Sequence, residues 1–229
     1  MTLAIDKQAL SKTLIKTAWL SVLLGLGMEI LLLAAAAYFK NIPSTQAIIA
    51  ETVQKISWST LVCAGVAIGT AATRMRPTAM GLAGFIVAPV AFYVAKIAHK
   101  SVSQALAIAG QVVASGPSPF LLAGIKALEY ALLGYLIGQL GKKTAVGLKG
   151  HILAGTGIGS VFGGSIVYLM VTMAKDPIPL AGIVTRGINE MIFPIGCSLV
   201  LYAAQRLGSQ HDIERPEVDT PEPEASIEK

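Results

Sequence analysis

From residue 17 to residue 206 the chain alternates long apolar runs with short polar or proline-bearing breaks. The runs cover residues 17–39, 56–73, 80–97, 120–140, 151–174 and 181–205. At about 1.5 Å per residue in a helix, runs of this length match a hydrocarbon layer of about 30 Å. Tyr38-Phe39-Lys40 closes the first run, Arg74-Met75-Arg76-Pro77 the second, and Lys96, His99 and Lys100 the third. Gly141-Lys142-Lys143 and Asp176-Pro177-Ile178-Pro179 close the fourth and fifth, and Arg206 ends the last. Proline stops helices, and single bases at the ends of apolar runs suit a headgroup layer. The pattern predicts an all-α integral membrane protein with about six transmembrane helices.

The same breaks organise the chain. Residues 1–16 form a basic N-terminus, 17–100 a first three-helix half, 101–118 an interfacial connector, 119–206 a second three-helix half and 207–229 a tail. Residues 41–55, mixed in polarity, are read as a short interfacial helix before the second span. The basic-then-apolar start resembles a signal peptide, but no cleavage site follows, which predicts a retained first span.

The halves share features in the same order. Glu29 falls mid-span in the first run and Glu129 in the fourth. Ala64-Gly65-Val66-Ala67-Ile68-Gly69-Thr70 parallels Ala154-Gly155-Thr156-Gly157-Ile158-Gly159-Ser160, and Ala88-Pro89-Val90 parallels Phe193-Pro194-Ile195. Two halves of three spans each must insert in opposite directions, so the expectation is a 3+3 inverted-topology repeat with its working site near the midplane. This plan and size resemble small transporters and channels, and the membrane subunits of vitamin importers, at the level of fold alone.

Composition sharpens the picture. Charged residues make up 14% of the chain, against roughly 25% in soluble domains. The net charge of +5 is segregated. The segment 209–229 holds seven acids beside Arg215 and Lys229, whereas the rest of the chain is strongly basic. Those bases sit singly at span ends, which argues for lipid and against nucleic acid. With the N-terminus inside, the cytoplasmic face collects nine bases (Lys7, Lys12, Lys16, Arg74, Arg76, Lys142, Lys143, Lys149 and Arg206), and the opposite face collects Lys40, Lys55, Lys96, Lys100 and Lys175. The bias places both termini in the cytoplasm of a bacterial-type plasma membrane. The Pro- and Glu-rich tail is too polar to fold alone and is a candidate docking segment for a soluble partner.

Candidate chemistry lies in the spans. A carboxylate deep in hydrocarbon costs several kcal/mol and is retained when paired, wet or engaged with an ion. Glu29 and Glu129 are therefore the leading candidates for a shared proton or cation site. Lys126 stands three residues before Glu129, close enough to pair on one helix face. Arg186 and Glu190 are one turn apart in the sixth span, with Asn189 adding a hydrogen-bonding group. Pro89 and Pro194 free carbonyls and kink their helices, either as hinges or as static bends. Gly65, Gly69, Gly155 and Gly159 have the small-xxx-small spacing that lets membrane helices approach. Their alternative reading is a pore lining with Thr70, Thr156 and Ser160. Cys63 and Cys197 lie mid-run and read as buried small hydrophobes, with no disulfide expected between them. The three histidines lie at span ends or in the tail, so no metal site is expected, nor a cofactor.

No catalytic motif is present, and an enzyme is not the reading. The expectation is a small secondary transporter or ion channel that binds a proton or cation through intramembrane carboxylates, with a small ion or small molecule as substrate. The alternative is a non-transporting membrane subunit, a scaffold, assembly factor or substrate-capture component. An intramembrane enzyme acting on lipid is a third, weaker reading, and homo-oligomers fit any of these.

Overall fold

The structure, a computed structural model, describes residues 7–71, 75–106, 116–142 and 147–210, with side chains from 11 to 206 within those ranges. All regular elements among them are helical. They are α1 (Lys7–Tyr38), α2 (Thr45–Ile68), α3 (Arg76–Ala105), α4 (Pro119–Leu140), α5 (Leu148–Ile158), α6 (Gly164–Met173) and α7 (Leu180–Gln210). A short 3₁₀ turn, Gly69–Ala71, follows α2. A five-residue π-helical turn, Gly159–Gly163, joins α5 to α6 without a break, so Leu148–Met173 makes one crossing.

Five helices are long and apolar enough to cross a membrane: Ser11–Tyr38, Arg76–Ala105, Pro119–Leu140, Leu148–Met173 and Leu180–Arg206. Their outward faces are apolar, with Trp19, Ile30, Ile86, Leu153 and Tyr168 all exposed. Apolar surface on this scale suits a lipid environment rather than water. The buried core is built from Val62, Met80, Tyr130, Leu133, Ile137 and Leu201 among small alanines and glycines.

The sixth long helix, α2, corrects the sequence reading. Residues 41–55 do not form a separate interfacial helix. Ser44 caps α2, its hydroxyl accepting from the Ala47 amide at 3.3 Å, and the helix runs unbroken from Thr45 to Ile68. Glu51 and Lys55 are thereby carried on the N-terminal half of one long helix, with Trp58 just past its middle. The physical reason is that Lys55 is neutralised by carboxylates on α1 and α2, so helix and bundle continue where the apolar run stops. α2 packs between α1 and α3 and touches α4 and α7.

Other predicted boundaries shift by a turn or two. The basic segment 1–16 is helical from Lys7 onward, and α3 extends beyond residue 100 to Ala105. Residues 107–115 of the connector 101–118 and the acidic tail beyond Gln210 lie outside the described residues.

The predicted glycines are close-approach points. An added Cβ at Gly65 would fall on the Val87 side chain, and one at Gly69 on the Met80 backbone. At Gly155 it would fall on the Ile195 backbone, and at Gly159 on the Met191 carbonyl. Packing through small residues is how membrane helices gain dispersion contact without a hydrophobic drive.

α1 ends on a left-handed residue, Lys40, at φ 54°. The Asn41 amide donates to the Ala36 carbonyl at 2.9 Å, and the Lys40 amide donates to Ala37 at 3.0 Å, closing the helix end. A side chain in this region is strained where glycine is not. Lys40→Gly is expected to stabilise the fold by about 1 kcal/mol, read as a higher unfolding temperature in detergent. A fall would mean that the lysine side chain, not the backbone geometry, governs this turn.

Candidate functional site

Where α1 ends and α2, α4 and α7 begin, the bundle holds a cavity of about 650 Å³. It reaches from Asn41 and Pro43 in the α1–α2 loop to Trp58 and Phe193 at its inner end. Its walls carry charge of both signs, arranged as two networks.

The first network ties α1, α2 and α3. Lys55 Nζ lies 2.7 Å from Glu29 Oε2 and 2.7 Å from Glu51 Oε2. Glu51 Oε1 lies 3.5 Å from His99 Nε2 on α3. Lys55 and Glu29 are buried, and Glu51 is open to the cavity. The Lys55 spacing is one turn from Glu51, so local helix geometry sets that pair, and helix packing sets the one with Glu29.

The second network ties α4 and α7. Lys126 Nζ lies 2.8 Å from Glu129 Oε2 and 2.7 Å from Glu190 Oε2. Arg186 Nη1 stands 3.8 Å from Glu190 Oε1, and the Asn189 amide donates to the same oxygen at 3.4 Å. Arg186 is 48% exposed, so that pair contributes little. Glu129 is fully buried. Its contact with Lys126 is close but poorly directed, and neither carboxylate oxygen has a well-formed hydrogen bond among the described residues. Trp58 and Tyr130 flank Lys126, each ring centroid 5.8 Å from Nζ, and meet edge to face at 5.5 Å. The aromatic faces supplement the carboxylates in holding the ammonium.

The networks are alike in plan. In each, one buried lysine stands between two glutamates, and a further basic side chain, His99 or Arg186, lies beside one carboxylate. They differ in charge. Apart from His99, the first holds two carboxylates against one ammonium, whereas the second sets Lys126 and Arg186 against its two carboxylates. Lys96 also lines the cavity, with Nζ 5.2 Å above the Phe92 ring.

Of the residues singled out from sequence, Glu29, Lys126, Arg186, Asn189 and Glu190 line this cavity, and Glu129 sits behind Lys126. Glu29 and Glu129 thus belong to separate networks rather than to one pair. Pro194 is buried one residue beyond the wall residue Phe193, whereas Pro89 lies in the interior of α3 away from the cavity. Thr70 donates to the Ala67 carbonyl at 2.6 Å, and Thr156 and Ser160 face outward, so none of the three lines the cavity.

Sequence reasoning missed Glu51, Lys55 and His99 as site residues. The available signal was the Glu51–Lys55 i,i+4 spacing directly ahead of an apolar run. Gly159 and Gly163 position Glu190, because an added Cβ at either would collide with the α7 backbone at Met191 or Glu190. The π-helical turn between them sits where α5 and α6 cross α7, a place where such turns re-aim a helix face. Comparison with protein-family models, curated proteins and solved structures gives no match, and the chemistry of the site rests on its own residues.

Proposed function

We propose that the chain is a small secondary transporter or ion channel whose intramembrane carboxylates bind a proton or cation. The carrying observation is that two carboxylates of the first network converge on one ammonium in the cavity wall. Two carboxylates, Glu29 and Glu51, share the single ammonium of Lys55 at 2.7 Å each. A proton or small cation bound between the two carboxylates completes the balance. In a partly dehydrated wall such a deficit is costly, which gives the site affinity for positive charge.

The reading takes both termini as cytoplasmic, on the loop-base asymmetry, so that the cavity opens to the opposite face. It also keeps the inverted 3+3 repeat. Three features support that repeat: each network joins helices of one half, α1 packs on α7 as α4 packs on α3, and in each half paired glycines of the second helix meet the third. A site between inverted halves suits alternating access, with small ions or small polar molecules as cargo.

The test is Glu29→Gln with Glu129→Gln in proteoliposomes, with proton, sodium and potassium fluxes followed by entrapped dyes. Each lysine keeps one carboxylate, Glu51 or Glu190, so the fold is expected to survive. Flux of the conducted ion is expected to fall at least tenfold. Undiminished flux in a folded double variant removes these carboxylates from the mechanism.

A further inference from the structure

Beneath the cavity, α2 and α7 meet through two thiols. Cys63 Sγ and Cys197 Sγ are 3.1 Å apart, both cysteines are free, and neither has any solvent-accessible surface. Cys63 lies five residues past the cavity residue Trp58, and Cys197 four residues past Phe193. At about 1.5 Å per residue, the pair sits roughly 6–8 Å inside the cavity floor. Their neighbours Val62, Val66, Tyr130 and Leu201 are buried in the same core.

We propose that Cys63 and Cys197 are a disulfide-forming pair that fastens α2 to α7 below the cavity. The sulfurs are about 1 Å farther apart than the ~2.05 Å of a covalent bond, a distance that side-chain rotation and a small helix shift supply. The S–S bond forms as two S–H bonds break. Two electrons pass to a neutral two-electron acceptor of the diazene, quinone or halogen class, which is reduced to the hydrazine, hydroquinone or halide, and the two thiol protons go to that product or to solvent. Burial in an apolar core keeps charged oxidants away from both sulfurs, so only a neutral, lipid-soluble acceptor is competent.

The consequence is mechanical. α2 carries Lys55 and Trp58, and α7 carries Arg186, Asn189, Glu190 and Phe193, on facing walls of the cavity. A bond below the floor fixes the separation of those walls. It also closes a loop of 134 residues, which restricts the unfolded chain strongly.

The experiment uses the full chain, reduced and then exposed in detergent to diamide or to iodine. Intact mass is expected to fall by two hydrogens per chain. An unreduced digest is expected to yield the Cys63 peptide joined to the Cys197 peptide, and reduction to separate them. The unfolding temperature is expected to rise by several degrees on oxidation and to stay unchanged in Cys63→Ala and Cys197→Ala, which report whether the oxidants act elsewhere. If both thiols still alkylate after either oxidant, or the bond joins two chains, the proposal fails. A bond that forms without raising the unfolding temperature removes the fastening role. None of these readings depends on whether the chain conducts ions.

Discussion

Replacing Lys126 with methionine is expected to destabilise the protein by about 3–5 kcal/mol, the usual cost of leaving buried charge without its partner. Lys126 is the only cation among the described residues within 4 Å of Glu129, and it also lies 2.7 Å from Glu190. Methionine keeps the volume and contact with Trp58 and Tyr130, so the loss isolates charge from packing. The penalty falls mainly on Glu129, which no solvent reaches, and less on Glu190, which borders the cavity and keeps Asn189 and Arg186 nearby. A triple variant separates the causes. Adding Glu129→Met and Glu190→Gln to Lys126→Met is expected to recover most of the loss, because dry apolar packing replaces a buried ion pair at little cost. Unfolding by heat or denaturant in micelles reads both. A single variant losing less than about 1 kcal/mol would show that the lysine is not the counterion that holds Glu129.

The second large effect lies on the α3–α4 seam. A Cβ at Gly84 would land on the Tyr130 carbonyl, and one at Gly134 on the Met80 carbonyl. Both obstacles are backbone, so no side chain can swing away, and the helices must separate along their whole contact. Gly84→Ala is expected to cost about 1–3 kcal/mol despite alanine's better helix propensity, and Gly84→Val more. Gly124→Ala on the same α4 is the control. Nothing lies within 4 Å of its added Cβ, so it is expected to stabilise by about 0.5–1 kcal/mol. Melting temperatures of the pair in the same detergent decide the matter. Equal shifts would mean that propensity alone operates at both positions.

Local spacing and long-range packing divide what was legible in the chain. The apolar runs fell on all six long helices and missed only the first half of α2, whose polar residues 45–55 carry no apolar run. Lys126 with Glu129 and Arg186 with Glu190 were readable, since i,i+3 and i,i+4 partners follow from helix geometry. Glycine spacing likewise announced the close crossings. Lys55 was assigned to a short interfacial helix because its flanking residues are mixed in polarity, yet its partner Glu29 lies on another helix. The link from Lys126 to Glu190 and the meeting of Cys63 with Cys197 across 134 residues were hidden for the same reason. The π-helical turn at Gly159–Gly163 has no local signature, because its register is imposed by the α7 backbone.

The polar N-terminal half of α2 bears on how the chain is assembled. Each ionised residue near the centre of an inserting helix costs roughly 2.5–3.5 kcal/mol on insertion scales, and α2 brings both Glu51 and Lys55. Alone it is the poorest candidate of the six to leave the aqueous phase. Beside α1, its lysine is already within 2.7 Å of Glu29, and two charges partition as one nearly neutral unit. A helical hairpin of α1 and α2 is therefore a far better substrate for insertion than α2 by itself, and the pair that shapes the cavity wall also eases its entry into lipid.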